Sequence, residues 1–299
     1  MILSTAIPQI IKAVFPQMTL PNCVHWHLEN IDKPVIMVGM GTCDGERCTG
    51  CLREFEELLK EHQIDAALTP VGCVGFCAEE VIVDVKVPGY PRISYKRVTP
   101  DNVGTIIERT IINKDPVIQK ALGKYPHSDD SLWKEIPFLQ DIPFFKIQKK
   151  VVENCGIIDP ENIDQYLARG GYCALLKVLT KILVDAIEDT KKAGLRGRGG
   201  GGFPAGKKWE FAYRADSDQK YLICNADERI RVAFMDRANS VKATHGVVRH
   251  VYRRFRHRSI GRIHLLLAEY SLAISRLEKT IADATEYGTC WQKHSEQRF

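Results

Sequence analysis

The sequence predicts a mixed α/β protein of two domains, and three observations carry that reading. From Pro34 to Lys114, short apolar runs bounded by Gly and Pro alternate with stretches of helical period. A stretch rich in Pro and aromatic residues, 115–150, then separates this half from a second. The second half centres on a glycine-dense stretch, Gly194-Leu-Arg-Gly-Arg-Gly-Gly-Gly-Gly-Phe-Pro-Ala-Gly-Lys-Lys-Trp209, set between a predicted helix and a predicted strand. A chain of 299 residues with 44% hydrophobic content has room for two ordinary cores. No apolar run approaches a membrane span, and residues 1–15 lack the basic lead and small-residue cleavage site of a secretory signal. Residues 1–32 are read as an N-terminal extension, or as sequence ahead of a start at Met18.

Pro34-Val-Ile-Met-Val-Gly39 reads as a buried strand by its length. A cysteine loop follows, and then a helix over 52–63 with Leu52, Phe55, Leu58 and Leu59 on one face. Residues 65–71 and 81–87 read as strands, the latter pairing with 92–98 across Pro88-Gly89-Tyr90-Pro91. Thr99 caps a further helix with Pro100 just inside it. The order β-loop-α-β-loop-β-β-α over 33–114 resembles a thioredoxin-like domain. Pro116, Pro126, Pro137 and Pro143, interleaved with Trp133, Phe138, Phe144 and Phe145, make 115–150 an ordered linker lying on a neighbour's surface. Helices over 160–168, capped by Asp159, and over 173–192 lead into the glycine run. Lys220-Tyr-Leu-Ile-Cys-Asn225 is then a strand.

Five of the ten cysteines, Cys43, Cys48, Cys51, Cys73 and Cys77, fall in one short window. A disulfide scaffold would be smaller and secreted, so the cluster reads as a metal site in a reducing cytoplasm. Cys43-x4-Cys48 and Cys73-x3-Cys77 offer four thiolates from two loops that each follow a strand, the supply a [2Fe–2S] cluster needs. Zinc, using Cys48-x2-Cys51, and a set of buried thiols are the other readings. Cys51 is taken as a spare, and Cys23, Cys155, Cys173, Cys224 and Cys290 as packing residues or free thiols.

Around 197–206 glycine permits close backbone approach to a ligand, and the flanking Arg and Lys attract phosphate. Gly197-x-Gly199-x-x-Gly202 has dinucleotide spacing, but a helix precedes it where a strand belongs. Gly201-x4-Gly206-Lys207 begins like a P-loop, but Lys208 stands where Ser or Thr would bind magnesium. A glycine loop on a different scaffold is required.

Gly194–Trp209, with Lys220-Tyr-Leu-Ile-Cys-Asn-Ala-Asp-Glu228 and the upstream Glu153-Asn-Cys-Gly-Ile-Ile-Asp-Pro, resembles the NADH-binding flavoprotein component of complex I. It also resembles the soluble relatives in NAD(P)-linked hydrogenases and formate dehydrogenases, which often carry a thioredoxin-like [2Fe–2S] domain in front. The resemblance covers about 33–228. It implies FMN in the loop, NAD(P)H stacked on the flavin, and other subunits of such an assembly as partners. Carried over, Gly197, Arg198, Gly199, Gly200, Gly201 and Gly202 wrap the cofactors and Lys208 sits beside the flavin. Asn225, Asp227 and Glu228 bind FMN from the strand end, and Phe203 and Phe211 either face the adenine or pack in a core. Gly201 and Ala205 replace the family's usual Ala and Thr.

After Glu228 the family pattern breaks: Arg229-Ile-Arg-Val232 stands where Asp-Pro-Gly is expected. The codons CGG-ATC-CGG-GTN hide Asp-Pro-Gly in another frame, and 242–245 and 261–265 behave alike. Residues 229–265 and 289–299 are therefore read as out of frame. That removes the meaning of the basic segment 229–262, where nine Arg and Lys242 face only Asp236, leaving 32 basic and 36 acidic residues elsewhere. A nucleic-acid surface at 251–258 is set aside on the same ground. The family's remaining flavin pocket and its [4Fe–4S] cysteines lie beyond the matching part.

The sequence reading is thus a 33–114 cluster domain, a linker and a truncated 151–299 FMN/NAD(P)H domain. Its runner-up is a [2Fe–2S] electron-transfer module attached to a flavin-domain remnant without activity.

Overall fold

The computed structural model describes residues 31–41, 45–146, 154–173, 183–198, 201–216, 220–226, 259–266 and 271–286. The chain divides into two compact units, the first holding the described residues up to Tyr166 and the second those from Leu167 onward. The mixed α/β class expected from the sequence is what the structure has.

In the first unit, β1 (Val35–Met40) is a continuous apolar strand because both of its faces are covered. Ile36 and Val38 join the main core, while Val35 and Met37 pack with Val71 on the reverse side. The helix that follows, α1 (Gly45–Glu61), opens seven residues before the expected Leu52. Cys48 and Cys51 are the reason. With Phe55 and Leu59 they form one buried stripe at helical spacing, so both cysteines belong to the helix and not to a loop.

β2 (Ala67–Gly72) runs parallel to β1, and β3 (Val83–Lys86) antiparallel to it on the other side. β4 (Arg92–Tyr95) pairs antiparallel with β3. α2 (Pro100–Ile106) begins at the expected cap, where the Thr99 N–H and hydroxyl bond reciprocally with Asn102, and it continues as a π-helical turn over Ile107–Ile112. Val103, Ile106, Ile107 and Ile111 of this stretch are buried in the same core as Phe55 and Ile93. The strand order β2-β1-β3-β4, with one parallel pair, is the thioredoxin-like arrangement.

Residues 115–146, expected as linker, add a fifth strand. β5 (Ala121–Lys124) pairs with β4, and at Gly123 an added Cβ would stand 2.9 Å from the Leu139 Cα. Glycine is therefore what lets 137–142 lie against the strand. Buried Lys124 donates to the carbonyls of Asp130, Leu132 and Trp133. Trp133 in turn donates to the Lys114 carbonyl and stacks on Tyr90 at 5.0 Å. The prolines and aromatics thus fold back onto their own unit. The helix expected over 160–168 is shorter, α3 (Ile163–Ala168), and its cap is Asn162, whose side chain accepts from the Gln165 N–H. Asp159 instead holds the turn ahead of it.

The second unit contains α4 (Leu183–Lys192) and α5 (Ala205–Arg214), joined by the glycine stretch. β6 (Lys220–Ala226) pairs in parallel with β7 (Ser259–Leu266), and α6 (Ser271–Glu286) buries Ala273, Leu277, Thr280 and Ala284. Residues 174–182 of the expected 173–192 helix lie outside the described residues, as do most of 229–265 and all of 289–299. Within the stretch read as out of frame, 259–265 belong to strand β7.

Candidate functional site

The glycine stretch is a loop closed at its neck. The Gly197 N–H donates to the Phe203 carbonyl at 2.9 Å, and the Ala205 N–H to the Leu195 carbonyl at 2.8 Å. Arg196 and Pro204 form the antiparallel bridge between these bonds. Gly194 and Gly202 have φ of +62° and +58°, the left-handed region that favours glycine, one before the neck and one inside the loop. α5 leaves the neck immediately, with Pro204 at its N-cap, and the positive end of its dipole faces the loop. A helix over 205–214 is absent from the elements expected above. Its signal is present in the sequence: Pro204 at the boundary, then Trp209, Ala212 and Tyr213 at helical spacing, and Glu210 paired with Arg214.

Gly206 sets how close the two helices come. An added Cβ there would meet Lys191 Cγ at 2.6 Å, its N at 2.8 Å and its Cα at 2.9 Å. Across this contact Lys191 bonds Glu188 and Glu210, which raises the Lys191 pKa; Lys191 in turn lowers that of Glu210. Glu188 is exposed and Lys191 and Glu210 are half-buried, so solvent still screens the pairs, which fix orientation more than stability.

Of the expected cofactor residues, Gly197, Arg198, Gly201, Gly202, Phe203, Lys208, Phe211 and Asn225 are described; Gly199, Gly200, Asp227 and Glu228 lie outside the described residues. Arg198, Lys207 and Lys208 are exposed around the loop and the first turns of α5. Phe203 and Phe211 do not pack in a core: they are 49% and 61% exposed, with ring centroids 6.2 Å apart. Among the described residues, nothing stands within 4 Å of an added Cβ at Gly201 or Gly202. An open glycine loop, a helix N-terminus and three cationic side chains fit a phosphate-bearing ligand such as FMN. Asn225 is exposed at the end of β6, before buried Ala226.

The cysteine site sits in the first unit. Cys73 follows β2 directly and is 5% exposed; Cys77 opens the 3₁₀ turn Cys77–Glu79 and is exposed. The Gly75 N–H donates to Cys73 Sγ at 3.2 Å, the kind of bond a thiolate ligand accepts, and Cys77 Sγ reaches the Gly75 carbonyl at 3.7 Å. Cys51 Sγ contacts the Val98 carbonyl at 3.6 Å, in keeping with a spare. Cys43 lies outside the described residues. Cys48 is wholly buried in α1, and among the described residues no three metal-ligating side chains gather into a metal group. Cys73 and Cys77 thus fit a thiolate-bound cluster in their chemistry, and Cys48 lies buried in the first turn of α1.

A small enclosed space behind Cys73 is lined by Met37, Gly39, Val74, Glu80, Asp84 and Gly156. Sequence reasoning missed the buried ion pair at its edge. Arg92 and Asp84 are diagonal neighbours on β4 and β3; Arg92 Nε donates to Asp84 Oδ2 at 2.8 Å, and Nη2 to the same oxygen. The guanidinium also lies 4.3 Å from the centre of the Tyr125 ring. Burial works against the Arg92 charge, yet Asp84 and Tyr125 outweigh it and hold its pKa above the ordinary value. Burial, and then the Asp84 charge, push the Tyr125 phenol up to about 12.

The fold and loop define an α/β chain whose second unit carries a glycine loop closed at its neck. Residues 190–297 match the family model described as the Nuo51 FMN-binding domain. Among curated relatives, the NADP-reducing hydrogenase component HndC of Solidesulfovibrio fructosivorans is 49% identical over 143 residues, 45% of this chain and 28% of that protein. The F 2 component of the NADH-quinone oxidoreductase of Rhizobium meliloti is 38% identical over 146 residues, 46% of this chain and 33% of that protein. The chain spans a third or less of the length of these relatives. Among solved structures, a thioredoxin-like [2Fe-2S] ferredoxin from Aquifex aeolicus aligns at 20% identity and TM-score 0.28, over 33% of this chain and 99% of the other. An NAD+-reducing [NiFe]-hydrogenase aligns at 17% identity and TM-score 0.29, over 96% and 46%. The chain is thus a homologue of HndC and of the F-type components, both parts of oxidoreductase assemblies, and no helix among the described residues is long and apolar enough to cross a membrane.

Proposed function

We propose that the chain is part of a cytoplasmic NAD(P)H:acceptor oxidoreductase, working with a hydrogenase, formate dehydrogenase or quinone-reducing partner. The observation that carries the reading is the neck-closed glycine loop at the head of α5, inside the 190–297 match to the FMN-binding family model. Backbone N–H groups of the loop and the α5 N-terminus receive the flavin phosphate, with Arg198 and Lys207 supplying counter-charge. Lys208 sits beside the flavin ring and favours added electron density there. Phe203 and Phe211 offer exposed aromatic faces for the adenine, and Asn225, Asp227 and Glu228 hold the flavin from the strand end. FMN, when bound, supplies hydride acceptance and one-electron release. No side chain acts as nucleophile or general base. Cys43, Cys48, Cys73 and Cys77 are proposed as the ligands of a [2Fe–2S] cluster in the first unit, and 229–265 and 289–299 as out-of-frame sequence.

The test is the full chain, purified without oxygen and supplied with FMN, ferrous iron and sulfide. Bound flavin with NADH- or NADPH-dependent dye reduction supports the proposal. An iron–sulfur spectrum without bound flavin overturns it in favour of the electron-transfer module, and reading the gene in all frames decides the 229–265 assignment.

A further inference from the structure

Beyond the second unit's chemistry, three bonds in the first unit attach residues 154–158 to the end of β2 and to Arg92 on β4. The Gly156 N–H donates to the Gly72 carbonyl at 2.6 Å, and the Gly72 N–H to the Ile158 carbonyl at 3.2 Å. Arg92 Nη2 donates to the Gly156 carbonyl at 2.6 Å while the same guanidinium holds Asp84. Gly72 is the residue before Cys73. The segment therefore continues the edge of the sheet where β2 ends and covers the space behind Cys73. Gly156 has φ +75°, and an added Cβ would stand 2.7 Å from Val74 Cγ1, so only glycine seats here without strain. Val74 is itself inside Cys73-x3-Cys77.

We propose that 154–158 is a clamp that positions the Cys73–Cys77 loop, with Gly156 and Arg92 as the positioning residues that keep it seated. A free end of β2 would leave the Gly72 N–H and carbonyl unsatisfied and the following loop with many conformers. The clamp removes that freedom and shields the Cys73 sulfur, while Cys77 stays open. Arg92 couples the clamp to β3 and β4, because one buried guanidinium satisfies both the Asp84 carboxylate and the Gly156 carbonyl.

The test uses the full chain and thiol alkylation followed by peptide mass mapping. In Gly156→Ala, Cys73 and Cys155 react at least tenfold faster than in the wild type. Exposed Cys77 keeps its rate as an internal standard, and Cys48 and Cys51, buried in α1, stay protected. Arg92→Lys keeps the charge beside Asp84 but loses the fork, and gives an intermediate rate at the same two cysteines. Unchanged Cys73 and Cys155 rates in both variants overturn the clamp. So does parallel opening of Cys48 and Cys51, which would mean general loosening of the fold. A second readout rests on the proposed ligand role of Cys73 and Cys77: after assembly with ferrous iron and sulfide, Gly156→Ala releases iron to a chelator at least tenfold faster. A wild type that assembles no cluster ends the ligand reading alone, since the alkylation rates still decide the clamp.

Discussion

Gly206→Ala tests whether the glycine loop depends on the approach of the two helices that flank it. The added methyl would lie 2.6 Å from Lys191 Cγ and 2.8 and 2.9 Å from backbone atoms of the same residue. Carbon and nitrogen atoms in contact normally keep about 3.5–4 Å, so α4 and α5 must separate by several tenths of an ångström at least. Overpacking of this kind costs about 1–3 kcal/mol. Separation also pulls on the neck, because the 2.8 Å bond from Ala205 to Leu195 lies one residue from the site of strain. If about 1.4 kcal/mol of that strain is relieved by opening the neck, the loop loses about tenfold in flavin affinity. The assay is the quenching of FMN fluorescence on titration, alongside thermal melting. A weaker FMN constant with a lowered melting point agrees with the reasoning. Wild-type affinity and melting would refute it, as would a crystal structure of Gly206→Ala with the Lys191–Glu210 contact in place.

Three further outcomes follow from the same structure. Tyr95 and Tyr125 both have phenols raised to about 12, in each case first by burial, against an ordinary value near 10. The fold holds protons that the unfolded chain has lost, so the tyrosine contribution is flat below pH 10 and lowers stability from pH 10 to 12, by about 2–3 kcal/mol per tyrosine. Denaturant titrations across that window should show a shallower slope in Tyr95→Phe and Tyr125→Phe; equal slopes would count against the assignment. Phe55→Ala empties the fully buried centre of the α1 stripe and should cost about 3–5 kcal/mol in chemical unfolding of the first unit. Lys208→Gln, at an exposed position, should weaken FMN binding several-fold with melting unchanged; a large drop in melting point would assign Lys208 a structural role instead.

The elements of this chain are legible in the sequence wherever one residue does one job. β1 shows as an apolar run, Thr99-Pro100 marks the start of α2, and the glycine density of 197–206 announces a backbone cradle before any helix is placed around it. Each of these is local, fixed by period, by capping or by the lack of a Cβ. Tertiary structure decided what depends on partners distant in sequence. Cys48 reads as part of a loop, but its spacing to Phe55 and Leu59 places it in a helix stripe facing a sheet. The prolines and aromatics of 115–146 look like a linker until Lys124 and Trp133 find carbonyls on their own unit. Gly156 and Arg92, 64 residues apart, mean nothing singly and meet only because the segment bonded to the end of β2 at Gly72 also reaches the Arg92 guanidinium. A sequence records which groups can bond; closure of the sheet edge and the crossing of α4 and α5 select which of them do.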